Sequence, residues 1–203
     1  MTARALTVAA LLALGATTDA PAADFSDPTW PCIQRKVAQL SPGIMWPHPI
    51  EPRSFDAETE AAVKEIVGRL GLRRIPVEDL EPTVTAFTGA YGNDSALLGH
   101  VFMSASEIMS RQRQTVMKGI EDYSLSQIAL SERIEATRIE INTLLDAEPL
   151  DHDRIDAAEE QLAWDERIYT DRAQSLTYVC ETPVILEQRL FAIGQMLARS
   201  VTE

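Results

Sequence analysis

From Val116 onward the inward-reading residues fall in alternating steps of four and three: Val116, Ile120, Tyr123, Gln127, Leu130, Ile134, Thr137, Ile141 and Leu144. This is a heptad-like seam over four repeats, interrupted by Gln127 and Thr137. A strand alternates sides every residue, so only a helix lines these positions up on one face. The pattern predicts one helix from about Ser95 to Leu145, on the order of 75 Å long at 1.5 Å per residue. Asp146 to Asp151 breaks it, with Pro149 as the reason. Asp151 or Asp153 caps a return helix that carries Ile155, Leu162, Tyr169, Leu176 and Cys180 on its inward side. A break this short makes antiparallel neighbours. Thr182-Pro183 reads as a fresh N-cap with proline at the first helical position. A separate C-terminal helix is therefore expected, using Leu186, Leu190, Ile193, Leu197 and Val201. The seam reads as intramolecular, although the same spacing also pairs two chains.

Upstream, Asp24 to Arg53 holds six of the eleven prolines, with Trp30, Trp46 and Phe25 between them. Proline removes a backbone donor and pushes its predecessor out of the α region, so most of this stretch is excluded from helix. One short helical piece from Cys32 to Leu40 is expected, with Ile33, Val37 and Leu40 on one face. The whole reads as an ordered arm over a helical body, anchored by Trp30 and Trp46. Ser54 or Asp56 then caps a helix from Ala57 to Leu70, buried through Val63, Ile66, Val67 and Leu70 and closed by Gly71. Pro76 opens a further stretch to Gly92, which Pro82 must kink or restart. The expected class is all-α: a long antiparallel helical hairpin with additional packed helices and an irregular Pro/Trp-rich N-terminal arm. Residues 1–22 read as a signal peptide and 23–203 as one helical domain. Within it lie the arm (23–55), short helices (56–92) and the hairpin with its C-terminal helix (95–203).

The signal reading rests on Arg4, an apolar stretch from Ala5 to Ala16, and the small-residue pattern Ala20-Pro21-Ala22. A dozen apolar residues fall short of the roughly 20 that span a bilayer. Export to a periplasmic or secreted location makes one bond, Cys32–Cys180, the simplest use of the two cysteines. Neither cysteine has a second Cys or a His at ligand spacing, and no Cys-x-x-Cys is present. The net charge of −13 repels phosphate backbones and anionic lipid, which excludes nucleic-acid binding and disfavours a membrane surface.

Catalytic signatures are missing. There is no Gly-x-Ser-x-Gly elbow, and Gly89-Ala-Tyr-Gly92 lacks the strand before it and the lysine after it that a phosphate loop needs. The one ligand-like pattern is Met45-Trp-Pro-His48 with His100-Val-Phe-Met103. Thioether and imidazole suit copper, and Met45, His48, His100 and Met103 would meet if the arm folded across the start of the long helix. The competing reading has the methionines filling the core. His152 falls in the hairpin turn. The residues therefore point to a non-enzymatic exported interaction protein, such as an adaptor, accessory or holdase-like factor with a periplasmic protein partner. The alternative is a periplasmic copper or small-ligand binder.

Overall fold

In the structure, a computed structural model that describes residues 27–202, four α-helices carry the chain. They are α1 (Ala57–Leu70), α2 (Glu81–Tyr91), α3 (Ser95–Leu145) and α4 (His152–Arg199). The signal-peptide reading falls on residues outside that range. The architecture is all-α, and its dominant feature is the antiparallel packing of α3 on α4.

The helix limits follow from local chemistry. Asp56 accepts a hydrogen bond from the Thr59 N–H at 2.8 Å and starts α1. Asp94 accepts from the N–H groups of Ala96 and Leu97 at 3.1 Å and starts α3. Asp151 does the same for α4 through the Arg154 N–H. Each carboxylate satisfies a donor that the first helical turn leaves orphaned, next to the positive end of the helix dipole. Pro82 restarts rather than kinks its stretch: a short 3-10 turn at Glu78–Leu80 precedes α2, and Pro82 occupies its first turn. Gly92, at φ 98, closes α2 in a conformation only glycine adopts readily.

α3 runs 51 residues, as its period predicts. Ile120, Leu130, Ile134, Ile141 and Leu144 are buried along the seam. The polar interruptions find partners for their donors: Gln127 Nε2 donates to the Tyr169 carbonyl at 3.1 Å, while its buried Oε1 accepts no hydrogen bond, and the Thr137 hydroxyl donates to the Arg133 carbonyl at 3.0 Å. Three sequence expectations need correction. No separate C-terminal helix exists, because α4 passes through Pro183 without a break. The disulfide at Cys180 on one side and buried Leu186 and Leu190 on the other hold both flanks against their neighbours, which offsets the roughly 3 kcal/mol an interior proline costs. Cys32 to Leu40 is irregular; a 3-10 turn forms instead at Pro42–Ile44, where proline supplies a helical φ. Finally, Tyr169 is exposed rather than inward-facing, while Asp165 is buried at only 1 % exposure.

Two apolar clusters make the body. The larger joins α1, α2 and the first third of α3 to the end of α4, through Leu70, Leu98, Phe102, Met109, Leu190, Ile193 and Leu197. Met45 and Trp46 of the arm close it, and Trp46 stacks on Phe102 with ring centroids 5.4 Å apart. The approach is close. A Cβ at Gly194 would lie 2.8 Å from the Met45 carbonyl oxygen and 3.0 Å from Phe102. Gly194→Ala is therefore expected to lower stability by about 1–3 kcal/mol despite the better helix propensity of alanine, because the arm must move to admit the methyl. Equilibrium unfolding in urea checks this; a stabilised variant would show the contact to be slack.

The smaller cluster packs Trp30, Cys32, Met117, Ile120 and Cys180. There the arm is tied down by the Cys32–Cys180 disulfide and by the Ser124 hydroxyl donating to the Pro28 carbonyl at 2.8 Å, while Trp30 Nε1 donates within the arm to the Gln34 carbonyl. Lys36 bridges Asp27 at 2.8 Å and Glu121 at 2.9 Å. The hydrogen bond from Lys36, with two more from Thr29, holds the Asp27 carboxyl down at about 2. A carboxyl lowered in the folded state contributes stability above its unfolded pKa and loses it as pH falls toward the folded one. The hydrogen-bonded turn of the arm around Asp27, beside Trp30, should therefore weaken between about pH 4 and pH 2. An acid titration of indole emission is expected to show this step in the parent chain and to lack it in Asp27→Asn and Trp30→Phe. An identical step in all three would place its origin elsewhere.

Candidate interaction surface

Beyond the smaller cluster the hairpin continues as two helices alone. From Ile128 to Leu145, α3 has 18 residues, about 27 Å at helical rise, and α4 returns over the same length. Its own seam holds this distal half together, assisted by ion pairs across the two helices, one of which has a buried carboxylate. Arg133 donates from Nε and Nη2 to both carboxylate oxygens of Asp165 at 2.7 and 2.6 Å. These bonds hold the Asp165 carboxyl below the usual carboxylate range. The Arg133 stem covers the pair from solvent on one side, so Asp165 sits in the seam without an orphaned charge. Two helices bury only one face each. The outer faces keep large apolar groups in water: Trp164 is 60 % exposed, and Ile139, Leu145 and Leu150 are about half exposed.

A second feature lies where the arm crosses the shaft. Pro31 stands between two shallow depressions of about 240 and 350 Å³ that share Ala173 and Leu176. One reaches the disulfide; the other runs toward Ile128 and Tyr169. Ile33, 72 % exposed, projects beside them. The arm thus forms one wall of an apolar groove and α3 with α4 the floor. Such a groove can receive an apolar side chain or the edge of a helix, with Gln34, Glu181, Gln127 and Glu132 as its polar margin.

The four Met/His positions meet different neighbours. As that reading required, the arm does cross the start of α3: Trp46 lies against Gly99, with its Nε1 3.4 Å from where a Cβ would stand. His48 meets the edge of Trp46 at 5.3 Å. Met45 is buried in the large cluster, however, and Met103 packs on its margin. His100 faces α1 and the end of the arm, with Nε2 3.1 Å from Glu60 Oε2 and its ring 5.3 Å from Phe55. His152 opens α4 at the hairpin turn. Among the described residues, no group of three or more His, Cys, Asp and Glu side chains is placed to hold a metal ion.

Two buried arginines escaped the sequence reading. Arg189 donates to the carbonyls of Leu70 and Ile75, closing the C-terminal end of α1 and the turn after it. Arg113 donates to the Val37 carbonyl and so fixes the arm midway. Burial lowers the pKa of both guanidinium groups, and neither gains a hydrogen-bonded carboxylate. Their spacing on helices otherwise full of surface charge gives no sign of burial. Among the described helices, none is long and apolar enough to cross a membrane. Comparison of the chain with family models, with curated proteins and with solved structures returns no match.

Proposed function

We propose that this chain is a non-enzymatic, exported protein of the periplasm that works by holding a protein partner, as an adaptor, accessory subunit or holdase-like factor. The observation that carries the reading is the distal hairpin: two helices stand past the folded body with Trp164, Ile139, Leu145 and Leu150 uncovered. Exposed apolar groups on an extended scaffold suit recognition, with a large aromatic as anchor. The groove beside the arm supplies a second contact on the same shaft. The disulfide favours an oxidising compartment, which agrees with the N-terminal signal reading.

Affinity capture of the mature protein from its own periplasm, under mild cross-linking, tests this reading. One reproducible partner at near-stoichiometric yield is the expected result. Recovery of the protein alone, or turnover of a substrate by the isolated chain, would overturn it. A copper-binding role is the second reading, and it draws on the contact of Trp46 with both His48 and the α3 turn that bears His100. Stoichiometric copper lost in a His48→Ala, His100→Ala double variant supports that role; unchanged metal content removes it.

A further inference from the structure

The outer face of distal α4 presents Ala157, Gln161 and Trp164 at spacings of four and three, one above another on a shallow depression of the helix surface. Ala157 and Ala163 are the small residues of that depression, so a crossing helix can approach closely there and pack on the indole. The depression itself is lined by one carboxylate, Glu160, and one cation, Arg167, and the selecting charge lies further toward the hairpin turn. Residues 140–160 contain eight Asp and Glu against one basic residue, Arg154, a net −7 of the chain's −13. That arginine is already paired with Glu140 at 3.2 Å, which leaves the acidic excess facing solvent. A second copy of this chain would bring like charge against like charge over the same face, and an acidic partner would do the same.

We infer that this face of α4 docks a basic amphipathic helix of a partner protein, with apolar side chains on Trp164 and Lys or Arg among the flanking carboxylates. The inference rests on the interaction reading above and specifies the partner's chemistry. Its test uses the full mature chain and a synthetic helical peptide with leucines on one face and lysines on the other. Binding is followed by anisotropy of a label on the peptide. Trp164→Ala is expected to weaken binding by about tenfold or more, as for an interface anchor. Tyr178→Ala, which removes an aromatic that is 76 % exposed on the same helix outside the acidic segment, should leave it unchanged. Asp156→Asn with Glu159→Gln and Glu160→Gln should weaken binding and flatten its salt dependence.

Equal losses in the Trp164 and Tyr178 variants would overturn the proposal. So would equally tight binding of a peptide whose leucines are replaced by serine, since that is charge attraction alone. A stable dimer that buries Trp164 would assign the face to a second copy and overturn it too. Circular dichroism confirms that each variant is folded, as expected for substitutions of exposed side chains. If the peptide fails while periplasmic capture still yields a partner, only the docking face is wrong. If both fail, the interaction reading falls with it.

Discussion

Replacing Cys32 and Cys180 by serine is expected to lower stability by about 5 kcal/mol while leaving helical content nearly intact. The bond joins positions 148 apart in sequence, and in the chain-entropy model closing a loop of that length removes on the order of 5 kcal/mol of freedom from the unfolded chain. The helices themselves do not need it. α3 and α4 have a seam of their own, and the large cluster lies at the other end of the body. What the bond holds is the arm, whose Trp30 and Cys32 cover Met117 and Ile120. Urea unfolding followed by circular dichroism measures the loss, and the emission of Trp30 reports whether the arm lifts. A loss below about 1 kcal/mol would show that Trp30, Ser124 and Lys36 hold the arm without the covalent tie.

Arg189→Met is expected to cost about 3 kcal/mol. The methionine matches much of the arginine's length and removes the expense of burying a charge that has no carboxylate beside it. Two carbonyls, Leu70 and Ile75, then lose all the donors recorded from Arg189. Each buried carbonyl left without a partner costs about 1–3 kcal/mol, which outweighs the gain from removing the charge. Arg189→Lys should recover only part of the loss, since one ammonium lacks the planar fork that reaches both carbonyls. A neutral Arg189→Met in equilibrium unfolding would mean that water reaches these carbonyls.

The hairpin was legible because its physics is local. A period of 3.5 fixes the buried face of α3, and aspartates mark the starts of α1, α3 and α4. The disulfide was legible from the cysteine count, and the anchoring of the arm from two tryptophans set among prolines. What escaped depends on tertiary context. Pro183 carries the same local signal whether it begins a helix or sits inside one, and only the packing of its flanks decides. Ile33 and Val37 had helical spacing, yet both are exposed, because the chain between Cys32 and Pro42 follows the disulfide and Arg113 across the shaft. Asp165 displaced Tyr169 from the seam because Arg133, from the opposite helix, makes a carboxylate tolerable there. The uncovered face around Trp164 was equally hidden, since a tryptophan in a helical pattern reads first as core.

The most direct test of the central claim is to shorten the hairpin. Residues 134–164 lie past the disulfide, both apolar clusters and the groove residues Ser131 and Glu132, so excising them and rejoining α3 to α4 by a short glycine-containing turn keeps the body and the arm groove intact. The shortened and full chains are then compared in the periplasmic capture proposed above, with thermal unfolding confirming that both are folded. The account predicts a partner recovered near stoichiometry by the full chain and lost by the shortened one. Equal recovery by a folded shortened chain would contradict it and place recognition in the body instead of the distal hairpin.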